Sequence, residues 1–384
     1  MSDDRLTICF PLIGEILGGS HVSLKGLLDR LPRDKYRILI VCDQNGSRIS
    51  RFFEDFEQIP DPVTARRDFV VGQPFGWRKI AAAMRGLPHR AKLLREQGVD
   101  IVHTNDGQNH AYWGLAAKLA GTAHVWHHRS DPTARGIRFM APLLADRIVA
   151  VSEFALPAKR WGSLRHARVI HSPFDISATI DRAAARRKLV EELGCREDAV
   201  LCGYFGLFID RKKPLDFIAA VRELGKRTGK PTFGLLFGEA ADDALYVRIL
   251  SSSAASMEQA NIRLMGFRSP GIDWISACDV LLVPAIGEPL GRTLVEAMLA
   301  GTPVVATRSG GNAEALAPDH GVLVPPDNPG EMAEAADALL RDPVRCRAMT
   351  ERARENAVTR FSAERHVSQI EQVYEQLRTA RSTL

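Results

Sequence analysis

Residues 279–316 read DVLLVPAIGEPLGRTLVEAMLAGTPVVATRSGGNAEAL. Val280–Val283 is a continuous apolar run, which is typical of a strand buried on both faces. A helix is predicted over Arg292–Ala300, because the glycine that follows is a common helix stop. Pro303–Thr307 predicts a second buried strand, and two adjacent glycines then open another helix. Strands and helices alternate in this way in parallel α/β sheets, so we predict that class of fold.

Two acids, Glu288 and Glu296, lie in the first glycine loop and on the second turn of the predicted helix. Loops and helix N-termini meet at the carboxyl edge of a parallel sheet, where such sheets bind ligands. A helix N-terminus suits a phosphate, and a carboxylate can accept hydrogen bonds from two sugar hydroxyls. The pattern favours a site for a sugar nucleotide. The alternative is a pair of solvated glutamates on an exposed helix, but the glycine loops, the buried strands and Glu314 favour the site.

From Glu288 to Glu314 the sequence EPLGRTLVEAMLAGTPVVATRSGGNAE resembles the E-x7-E signature of one enzyme family. The family is that of retaining glycosyltransferases with the GT-B fold, glycosyltransferase family 4, or glycosyl transferases group 1. The resemblance extends over residues 199–326.

The resemblance implies an α/β fold of two doubly wound, Rossmann-like domains that face each other across a cleft. We expect an N-terminal acceptor-binding domain at residues 1–175. A C-terminal nucleotide-sugar-binding domain is expected at residues 176–360. The final helix, about residues 361–384, is expected to pack back on the first domain.

The resemblance also implies roles for residues of the C-terminal domain. Glu296 is expected to bind the ribose hydroxyls, and Glu288 is the catalytic candidate near the sugar ring. Backbone N–H groups of Leu290, Gly291 and Arg292 are expected to neutralise the leaving diphosphate, whose charge grows as the glycosidic bond breaks. We expect a retaining, metal-independent transfer with same-face attack, no cofactor, and a UDP-, GDP- or ADP-sugar as donor.

A basic loop follows the predicted strand Val200–Phe205. Arg211, Lys212 and Lys213 could each reach the diphosphate, and Lys212 is favoured because lysine is a compact point charge. Many family members carry an arginine where Leu207 stands here, and Arg211 is expected to compensate for it. The alternative for such a run of charges is a solvated loop.

Two further donor-binding regions follow from the resemblance. Arg268 is expected beside the nucleotide base. In the N-terminal domain, Gly18, Gly19 and Ser20 open a helix after the predicted first strand, Leu6–Leu12. The family's loop at this place faces the donor sugar and phosphate, although a bare glycine pair can equally be an ordinary tight turn.

Ala123–Trp126 predicts a strand that runs into His127, His128 and Arg129. The family places a histidine after this strand, close to the reacting sugar. We take His127 as the catalytic candidate, and the register leaves His128 and Arg129 open. Residues 104–106, Thr-Asn-Asp, are polar groups at the end of a neighbouring predicted strand.

The net charge is unevenly distributed along the 384 residues. Residues 1–175 carry 25 Lys/Arg and 18 Asp/Glu, a net charge of +7, and the remainder carries 26 and 28, a net charge of −2. A basic half predicts an anionic partner, so we expect a glycan or lipid-linked acceptor and peripheral contact with an anionic membrane. Nucleic acid is not expected, because no recognition motif with interleaved aromatics is present.

Residues 77–97 are basic and amphipathic. They predict a helix that lies either on a membrane surface or against the protein core with one solvated face. Pro88 is predicted to break this helix.

No window approaches the ~20 apolar residues that cross a bilayer, and the acidic start MSDDR is not a signal peptide. We therefore expect a cytoplasmic protein, associated with the inner face of the membrane. The six cysteines form no C-x-x-C pair or zinc spacing, so reduced structural thiols and no metal site are expected.

The sequence thus predicts transfer of a sugar from a nucleoside-diphosphate sugar to a glycan or lipid-linked acceptor, in cell-surface polysaccharide or lipopolysaccharide assembly. The alternative is a GT-B epimerase or phosphorylase acting on sugar phosphates. A non-catalytic sugar-nucleotide-binding subunit is also considered. A nicotinamide-dependent enzyme is not supported, because no strand is followed by G-x-G-x-x-G. The sugar, the nucleotide, the acceptor, the linkage and the oligomeric state are left open.

Overall fold

The computed structural model describes residues 5–14, 17–43, 46–63, 77–105, 107–177, 179–258, 260–316 and 318–382, with the backbone alone for residues 77–83, 108 and 381–382. The chain divides into two compact units. Unit 1 comprises Met1–Phe174 and Ala363–Leu384, and unit 2 comprises Asp175–Ser362.

Unit 1 is built on one parallel sheet. Its strands are β1 (Leu6–Leu12), β2 (Tyr36–Cys42), β3 (Glu57–Pro60), β4 (Ile101–Thr104), β5 (Ala123–His128), β6 (Arg147–Ala150) and β7 (Arg168–Val169). They pair in the order β3-β2-β1-β4-β5-β6-β7, and every pair is parallel. The helices before the interdomain boundary are α1 (Gly19–Leu28), α2 (Arg48–Phe52), α3 (Trp77–Glu96), α4 (Gly107–Ala120) and α5 (Ala141–Leu144), with a π-helical turn at Gly136–Met140 and a 3-10 turn at Gly162–His166.

Unit 2 repeats the same plan. Its strands are β8 (Val200–Phe205), β9 (Thr232–Phe237), β10 (Asn261–Gly266), β11 (Val280–Val283), β12 (Val304–Thr307) and β13 (Val322–Val324), in the parallel order β10-β9-β8-β11-β12-β13. Its helices are α6 (Arg182–Leu193), α7 (Pro214–Thr228), α8 (Asp243–Ala254), α9 (Gly271–Ala277), α10 (Arg292–Ala300), α11 (Asn312–Ala315), α12 (Pro329–Arg341) and α13 (Pro343–Phe361). A 3-10 turn at Asp210–Lys212 precedes α7.

The strands are apolar on both faces because helices cover both sides of each sheet. Successive strand residues point to opposite faces. In β1, Ile8 and Phe10 join the core layer under α1, while Cys9 joins the layer under α3 and α4. Val22 of α1 is 47% exposed, because it lies on the face of the helix opposite the buried Leu24.

The last helix, α14 (Ala363–Ser382), belongs to unit 1 although unit 2 separates it from the rest of that unit in sequence. Ile370, Val373 and Tyr374 are fully buried and belong to the same core layer as Ile8. The packing of this helix against the first unit is therefore part of the unit's main core.

One sequence-based expectation about helices is wrong. Pro88 lies inside α3 and does not end it. Proline removes one helical hydrogen bond, but Leu87 and Ala91 on either side are buried and hold both halves of the helix on the core. After β6, Oγ of Ser152 accepts a hydrogen bond from the N–H of Ala155 at 3.1 Å. That bond closes a turn, and no helix follows it before the 3-10 turn at Gly162–His166.

The cysteines are free thiols, and Cys9, Cys42, Cys202 and Cys278 are buried. Among the helices that the structure describes, none is long and apolar enough to cross a membrane.

Candidate functional site

The predicted donor residues of unit 2 lie at the carboxyl edge of its sheet. β8 is flanked by β9 on one side and β11 on the other, so the chain winds in opposite directions from this point. Open α/β sheets bind ligands at such a switch point. The loops after β8 and β11 meet here, because the carbonyl of Arg211 accepts a hydrogen bond from the N–H of Ile286 at 2.8 Å.

Arg211 and Lys212 both approach the carboxylate of Glu288. Arg211 Nη1 lies 2.8 Å and Lys212 Nζ 4.0 Å from Glu288 Oε2, and the Glu288 side chain is 14% exposed. Gly206, directly after β8, makes room for the lysine: a Cβ at this glycine would lie 2.7 Å from Lys212 Nζ. Two cations and one acid therefore form a cluster with a net positive charge, in which the acid is mostly buried and Arg211 is 40% exposed.

The second glycine loop, at Gly310 and Gly311, packs against the backbone of Glu288 and Pro289. The N–H of Gly311 donates to the carbonyl of Glu288 at 2.7 Å. A Cβ at Gly310 would lie 2.6 Å from that carbonyl oxygen, and a Cβ at Gly311 would lie 2.2 Å from the carbonyl oxygen of Pro289. Real Cβ atoms do not approach so closely, so both glycines are needed for the Glu288 loop to lie where it does.

Helix α10 directs its N-terminus at the same edge. Gly291 is its N-cap and supplies no side-chain cap, so the first N–H groups of the helix have no side-chain acceptor there. Leu290 is buried and anchors the loop before the cap. Backbone donors and the helix dipole favour an anion at this position.

Arg292 and Glu296 form an ion pair one turn apart on α10, with Arg292 Nη2 3.5 Å from Glu296 Oε1. Burial raises the pKa of the Glu296 carboxyl, and Arg292 and then Lys212 oppose that rise. Burial lowers the pKa of Arg292, and Glu296 opposes the change. The carboxylate of Glu296 is thus poorly solvated, and it would gain from hydroxyl donors of a ligand.

Asn312 is a residue of this site that the sequence analysis did not select. It is fully buried, and its Nδ2 donates to the carbonyl of Thr307 at 3.2 Å. Its Oδ1 has no partner in the described part of the chain, and a Cβ at Gly291 would lie 3.5 Å from it. The only sequence signal is its place directly after two glycines, where an asparagine is also a common helix cap.

Arg268 does not join the Glu288 cluster. Its guanidinium donates to Glu192 at 2.6 Å and lies over the ring of Trp274, 4.6 Å from the centroid. The prediction that it contacts the base requires this pair to rearrange or to present the other face of the guanidinium.

In unit 1, Gly18 and Gly19 are exposed at the start of α1, with Gly18 as the N-cap and Ser20 half-buried beside them. A Cβ at Gly18 would meet nothing within 4 Å. The N–H of Gly18 donates to Nδ1 of His21 at 3.2 Å. The glycine backbone is accessible, and packing within unit 1 does not require glycine at position 18.

His127 and His128 are the last two residues of β5, not part of the exit loop as expected. Both are buried. Nδ1 of His127 lies 3.1 Å from Nε2 of His103, and Nδ1 of His103 lies 2.6 Å from the hydroxyl of Tyr374. Nε2 of His128 donates to the carbonyl of Asp131 at 3.2 Å.

Arg129 binds the ends of two strands together. It donates to Oδ1 of Asn105 at 3.3 Å, to Oγ of Ser172 at 3.1 Å and to Nδ1 of His127 at 3.4 Å. Asn105 follows β4, so the polar groups after β4 and β5 do come together. Asp106, the third polar residue of that exit, lies outside the described residues.

Buried histidines in unit 1 are held neutral. Burial lowers the pKa of His103 and His127 well below the ordinary value, and the positive charge of Arg129 adds to the effect. Burial also lowers the pKa of His124 and His128 to about 4, and that of His366 to about 3. Within the described residues, no group of three or more His, Cys, Asp or Glu is arranged to hold a metal ion.

Solved structures with the same two-unit architecture are glycosyltransferases. Anabaena Alr3699/HepE, solved with UDP and glucose, aligns with a TM-score of 0.77 over 97% of this chain and 100% of that one, at 20% identity. At this identity the likeness establishes the fold, which is GT-B.

Two family models, each matching one half of the chain, together match most of it. The model described as Glycosyltransferase Family 4 matches residues 17–178, and that described as Glycosyl transferases group 1 matches residues 185–356. The chain belongs to the glycosyltransferases of family 4.

Among curated relatives, the N-acetyl-alpha-D-glucosaminyl L-malate synthase of Bacillus anthracis is 23% identical over 381 residues, 95% of each chain. The D-inositol 3-phosphate glycosyltransferase of Stackebrandtia nassauensis is 30% identical over 170 residues, which cover 42% of this chain and 38% of that protein.

Proposed function

We propose that this glycosyltransferase moves a sugar, with retention of anomeric configuration and without a metal ion, from a nucleoside-diphosphate sugar to a glycan or lipid-linked acceptor. The observation that carries the proposal is the cluster of Arg211, Lys212 and Glu288 at the switch point of unit 2, beside the N-terminus of α10. A solved relative in fold, HepE, binds UDP-glucose, which supports this class of donor.

The leaving diphosphate is the group that this cluster would stabilise. Lys212 and the N–H groups at Leu290–Arg292 are fixed donors on one side of the sheet edge. Negative charge on the diphosphate increases as the glycosidic bond breaks, so preorganised donors at this position lower the barrier. In our proposal, Lys212 and these N–H groups neutralise the diphosphate, so that no metal ion is needed for that role.

The two acids have separate roles. Glu296 accepts hydrogen bonds from the ribose hydroxyls, which compensate its poor solvation. Glu288 binds hydroxyls of the transferred sugar and stabilises the oxocarbenium-like centre. It takes this role when Arg211 and Lys212, which pair with it here, interact with the bound diphosphate. Attack by the acceptor on the face that the diphosphate leaves gives retention.

Product analysis tests the reaction class. The protein is incubated with donor and a candidate acceptor, and the product is examined by proton NMR. A new glycoside with the anomeric configuration of the donor supports the proposal, and activity is expected to persist in EDTA. An inverted glycoside, a requirement for metal, or an epimerised sugar with no glycoside would contradict it.

The acceptor is proposed to lie at the inner face of a membrane, in assembly of surface polysaccharide or lipopolysaccharide. Among the exposed apolar side chains of unit 1, Leu119, Phe139 and Leu143 are 52%, 54% and 60% exposed. Lys118 donates to the carbonyl of Leu143 at 3.0 Å, and Arg138 lies over the ring of Phe139. Apolar groups with adjacent cations favour a surface of anionic lipid.

Vesicle flotation tests this contact. The wild-type protein is expected to float with phosphatidylglycerol vesicles and to remain behind with phosphatidylcholine vesicles. Replacing Phe139 and Leu143 by serine should abolish flotation, whereas Val344→Ser, at a position of unit 2 that is 80% exposed, should not. Equal flotation with both lipids, or unchanged flotation of the double variant, would remove the membrane from the proposal.

A further inference from the structure

A cavity of about 490 Å³ lies within unit 1 at the amino edge of its sheet. Its walls come from the first residues of β1 and β4, from the ends of α3 and α4, and from the second half of α14. Binding sites for small molecules have volumes of about 300–1,000 Å³, so the cavity is large enough for a ligand. The residues placed at the candidate site above are not among those that line it.

The cavity lies on the opposite edge of the sheet from the polar groups that follow β4 and β5. Ile101, the first residue of β4, lines the cavity, whereas Asn105 follows the last residue of that strand. A strand rises about 3.3 Å per residue, so the four residues of β4 separate the two edges by about 13 Å. Open α/β sheets bind their substrates at the carboxyl edge. A ligand of the amino-edge cavity would therefore be a different molecule from those substrates.

The floor of the cavity is apolar. Four of the side chains that line it are apolar and at most 6% exposed, namely Leu94, Val99, Ile101 and Leu377. Gly98 follows the end of α3, and a Cβ added to it would meet nothing within 4 Å. The floor therefore favours an apolar part of a ligand, which gains by leaving water.

Two arginines that line the cavity are exposed, so they lie at its mouth. Nη2 of Arg95 donates to the carbonyl of Leu119 at 2.6 Å, and Nη2 of Arg378 lies 2.9 Å from Oε2 of Glu375. A guanidinium carries five N–H groups in a planar fork. Each arginine can thus keep its contact within unit 1 and bind a carboxylate or a phosphate at the same time.

Asp100 is the acid among the lining residues, and it is engaged with the backbone. Its Oδ2 accepts a hydrogen bond from the N–H of Thr7 at 2.9 Å. Two guanidinium groups against one carboxylate give the cavity a net positive charge.

The C-termini of α3 and α4 border the cavity, and the partial negative charge of a helix C-terminus favours a cation. Both ends are closed by backbone hydrogen bonds. The N–H of Val99 donates to the carbonyl of Leu94 at 2.9 Å, and that of Thr122 donates to the carbonyl of Ala117 at 2.9 Å. These carbonyls are therefore engaged, and the arginines determine which charge the cavity prefers.

We propose that this cavity binds a small organic anion as an effector. A carboxylate or a phosphate of the ligand bonds to Arg95 and Arg378, and a short apolar part covers the floor. Inorganic phosphate has no apolar part, a neutral alcohol forms no charged hydrogen bonds, and an ammonium group is repelled by the arginines. The inference goes beyond the proposed function and does not depend on it.

Methyl NMR of the full chain tests the site with four probes that share one apolar tail, namely hexanoate, hexyl phosphate, hexylamine and hexan-1-ol. Hexanoate or hexyl phosphate should give saturable shifts of the methyl groups of Leu94, Val99 and Leu377, and the tighter of the two identifies the preferred anionic group. The amine and the alcohol should bind at least about tenfold more weakly, because they lack charge-assisted hydrogen bonds to the arginines. Equal binding of the amine or the alcohol, or no shift of these methyl groups with either anion, would overturn the proposal.

Replacing both Arg95 and Arg378 by glutamine tests the mouth of the cavity. The double variant should bind the preferred anion about tenfold or more weakly, with hexan-1-ol unaffected. Lys92→Gln is the matched control, because Lys92 lies about one turn before Arg95 on α3, is 71% exposed and does not line the cavity. Anion affinity of the double variant equal to that of the control would show that the arginines do not form the site.

Ala120→Leu tests the cavity itself, because Ala120 lines it and a larger side chain reduces its volume. This variant should bind the preferred anion several-fold more weakly, and thermal unfolding shows whether it is folded. Unchanged affinity in the folded variant would place the anion elsewhere and overturn the assignment. The arginine variants change exposed side chains and test the site independently. No donor or acceptor enters these experiments, so their failure would leave the proposed function as it stands.

Discussion

Glu296 illustrates how burial and ligand binding are linked at a single residue. Its carboxylate is mostly buried on α10, with one long contact of 3.5 Å to Arg292. Burial raises its pKa, which means that the charged form is short of hydrogen bonds. Ribose hydroxyls would supply them, so this acid is expected to contribute more to binding than an exposed acid would.

We therefore expect Glu296→Ala to weaken donor binding by about 1–3 kcal/mol, since it removes an acceptor of two hydroxyls. Calorimetric titration with UDP and GDP measures the change. Glu334→Ala is the control, because that side chain is 70% exposed on α12 and lies 4.0 Å from Arg227. Nucleotide affinity of Glu296→Ala equal to that of the control would remove the ribose assignment.

At the residue scale, local motifs were predictable and distant contacts were not. Glu288 and Lys212 could be selected because each stands in a short loop directly after a buried strand. The bond between His103 and Tyr374 joins positions 271 residues apart, and no spacing in the sequence indicates it. Asn312 was missed because an asparagine after two glycines is equally explained as a cap.

The two glycine loops act as one element. Residues 309–311 lie directly against residues 287–289: the N–H of Gly287 donates to Oγ of Ser309 at 3.0 Å, and that of Gly311 donates to the carbonyl of Glu288 at 2.7 Å. These hydrogen bonds couple the positions of the two loops. The position of the catalytic candidate is therefore set by a loop that need not touch the substrate.

Gly311→Ala tests this coupling. The φ of Gly311 is −72°, which any residue adopts, so the substitution acts through the Cβ alone, 2.2 Å from the carbonyl oxygen of Pro289. Overpacking of this kind costs about 1–3 kcal/mol, and displacement of Glu288 should lower kcat as well. Thermal unfolding and a donor-turnover assay measure the two effects.

Gly330→Ala is the matched control for that substitution. Gly330 lies in α12, where a Cβ would meet Oδ1 of Asn328 at an ordinary 3.6 Å. This variant should keep its stability and its turnover. If Gly311→Ala behaved in the same way, the loops would not be coupled.

At the element scale, apolar runs predicted most strands. Burial explains the two places where the predicted element boundaries were wrong. β5 was expected to end at Trp126 because two histidines look polar, but they lie inside the strand and their ring nitrogens bond to neighbouring groups. Pro88 was expected to break a helix that the core holds together on both sides. In both cases tertiary packing overrode a local preference.

Over the whole molecule, unit 1 differs from unit 2 in its buried histidines. His103, His110, His124, His127 and His128 are buried on or beside β4 and β5 of the first sheet. Burial lowers the pKa of His124 and His128 to about 4, and it lowers those of the other three well below the ordinary value. None of these groups takes up a proton near neutral pH in the folded state.

Stability of unit 1 is therefore expected to fall in mild acid. The unfolded chain binds protons at these histidines below about pH 6.5, whereas in the folded unit His124 and His128 bind them only at about pH 4. Within that window each such histidine lowers the free energy of unfolding by about 1.4 kcal/mol per pH unit. Urea unfolding at about pH 7.5 and about pH 5.5 should show a large drop in the midpoint at the lower pH.

His128→Gln should reduce this pH dependence, because glutamine can still donate to the carbonyl of Asp131 but cannot titrate. His166→Gln, at an exposed position, is the control and should leave the dependence unchanged. Equal midpoints at the two pH values in the wild-type protein would show that these histidines do not govern acid stability.

The parallel α/β class was predictable at this scale, because strand and helix patterns alternate along most of the chain, whereas two doubly wound domains were expected from the family resemblance. The return of α14 to unit 1 was expected only from the family resemblance. Its apolar positions Ile370, Val373 and Tyr374 specify that the helix is buried, but they do not specify on which unit.

The central claim is that the cationic cluster of unit 2 binds the diphosphate of a sugar nucleotide. Calorimetric titration with UDP-, GDP- and ADP-glucose tests it most directly, using the wild-type protein, Lys212→Ala, and Lys226→Ala as a control on α7, where the lysine pairs with Glu223 of the same helix. We predict that at least one donor binds, that Lys212→Ala weakens this binding about tenfold or more through loss of a charged hydrogen bond, and that Lys226→Ala does not. Binding of Lys212→Ala equal to that of the wild type, or no binding of any donor, would contradict the claim.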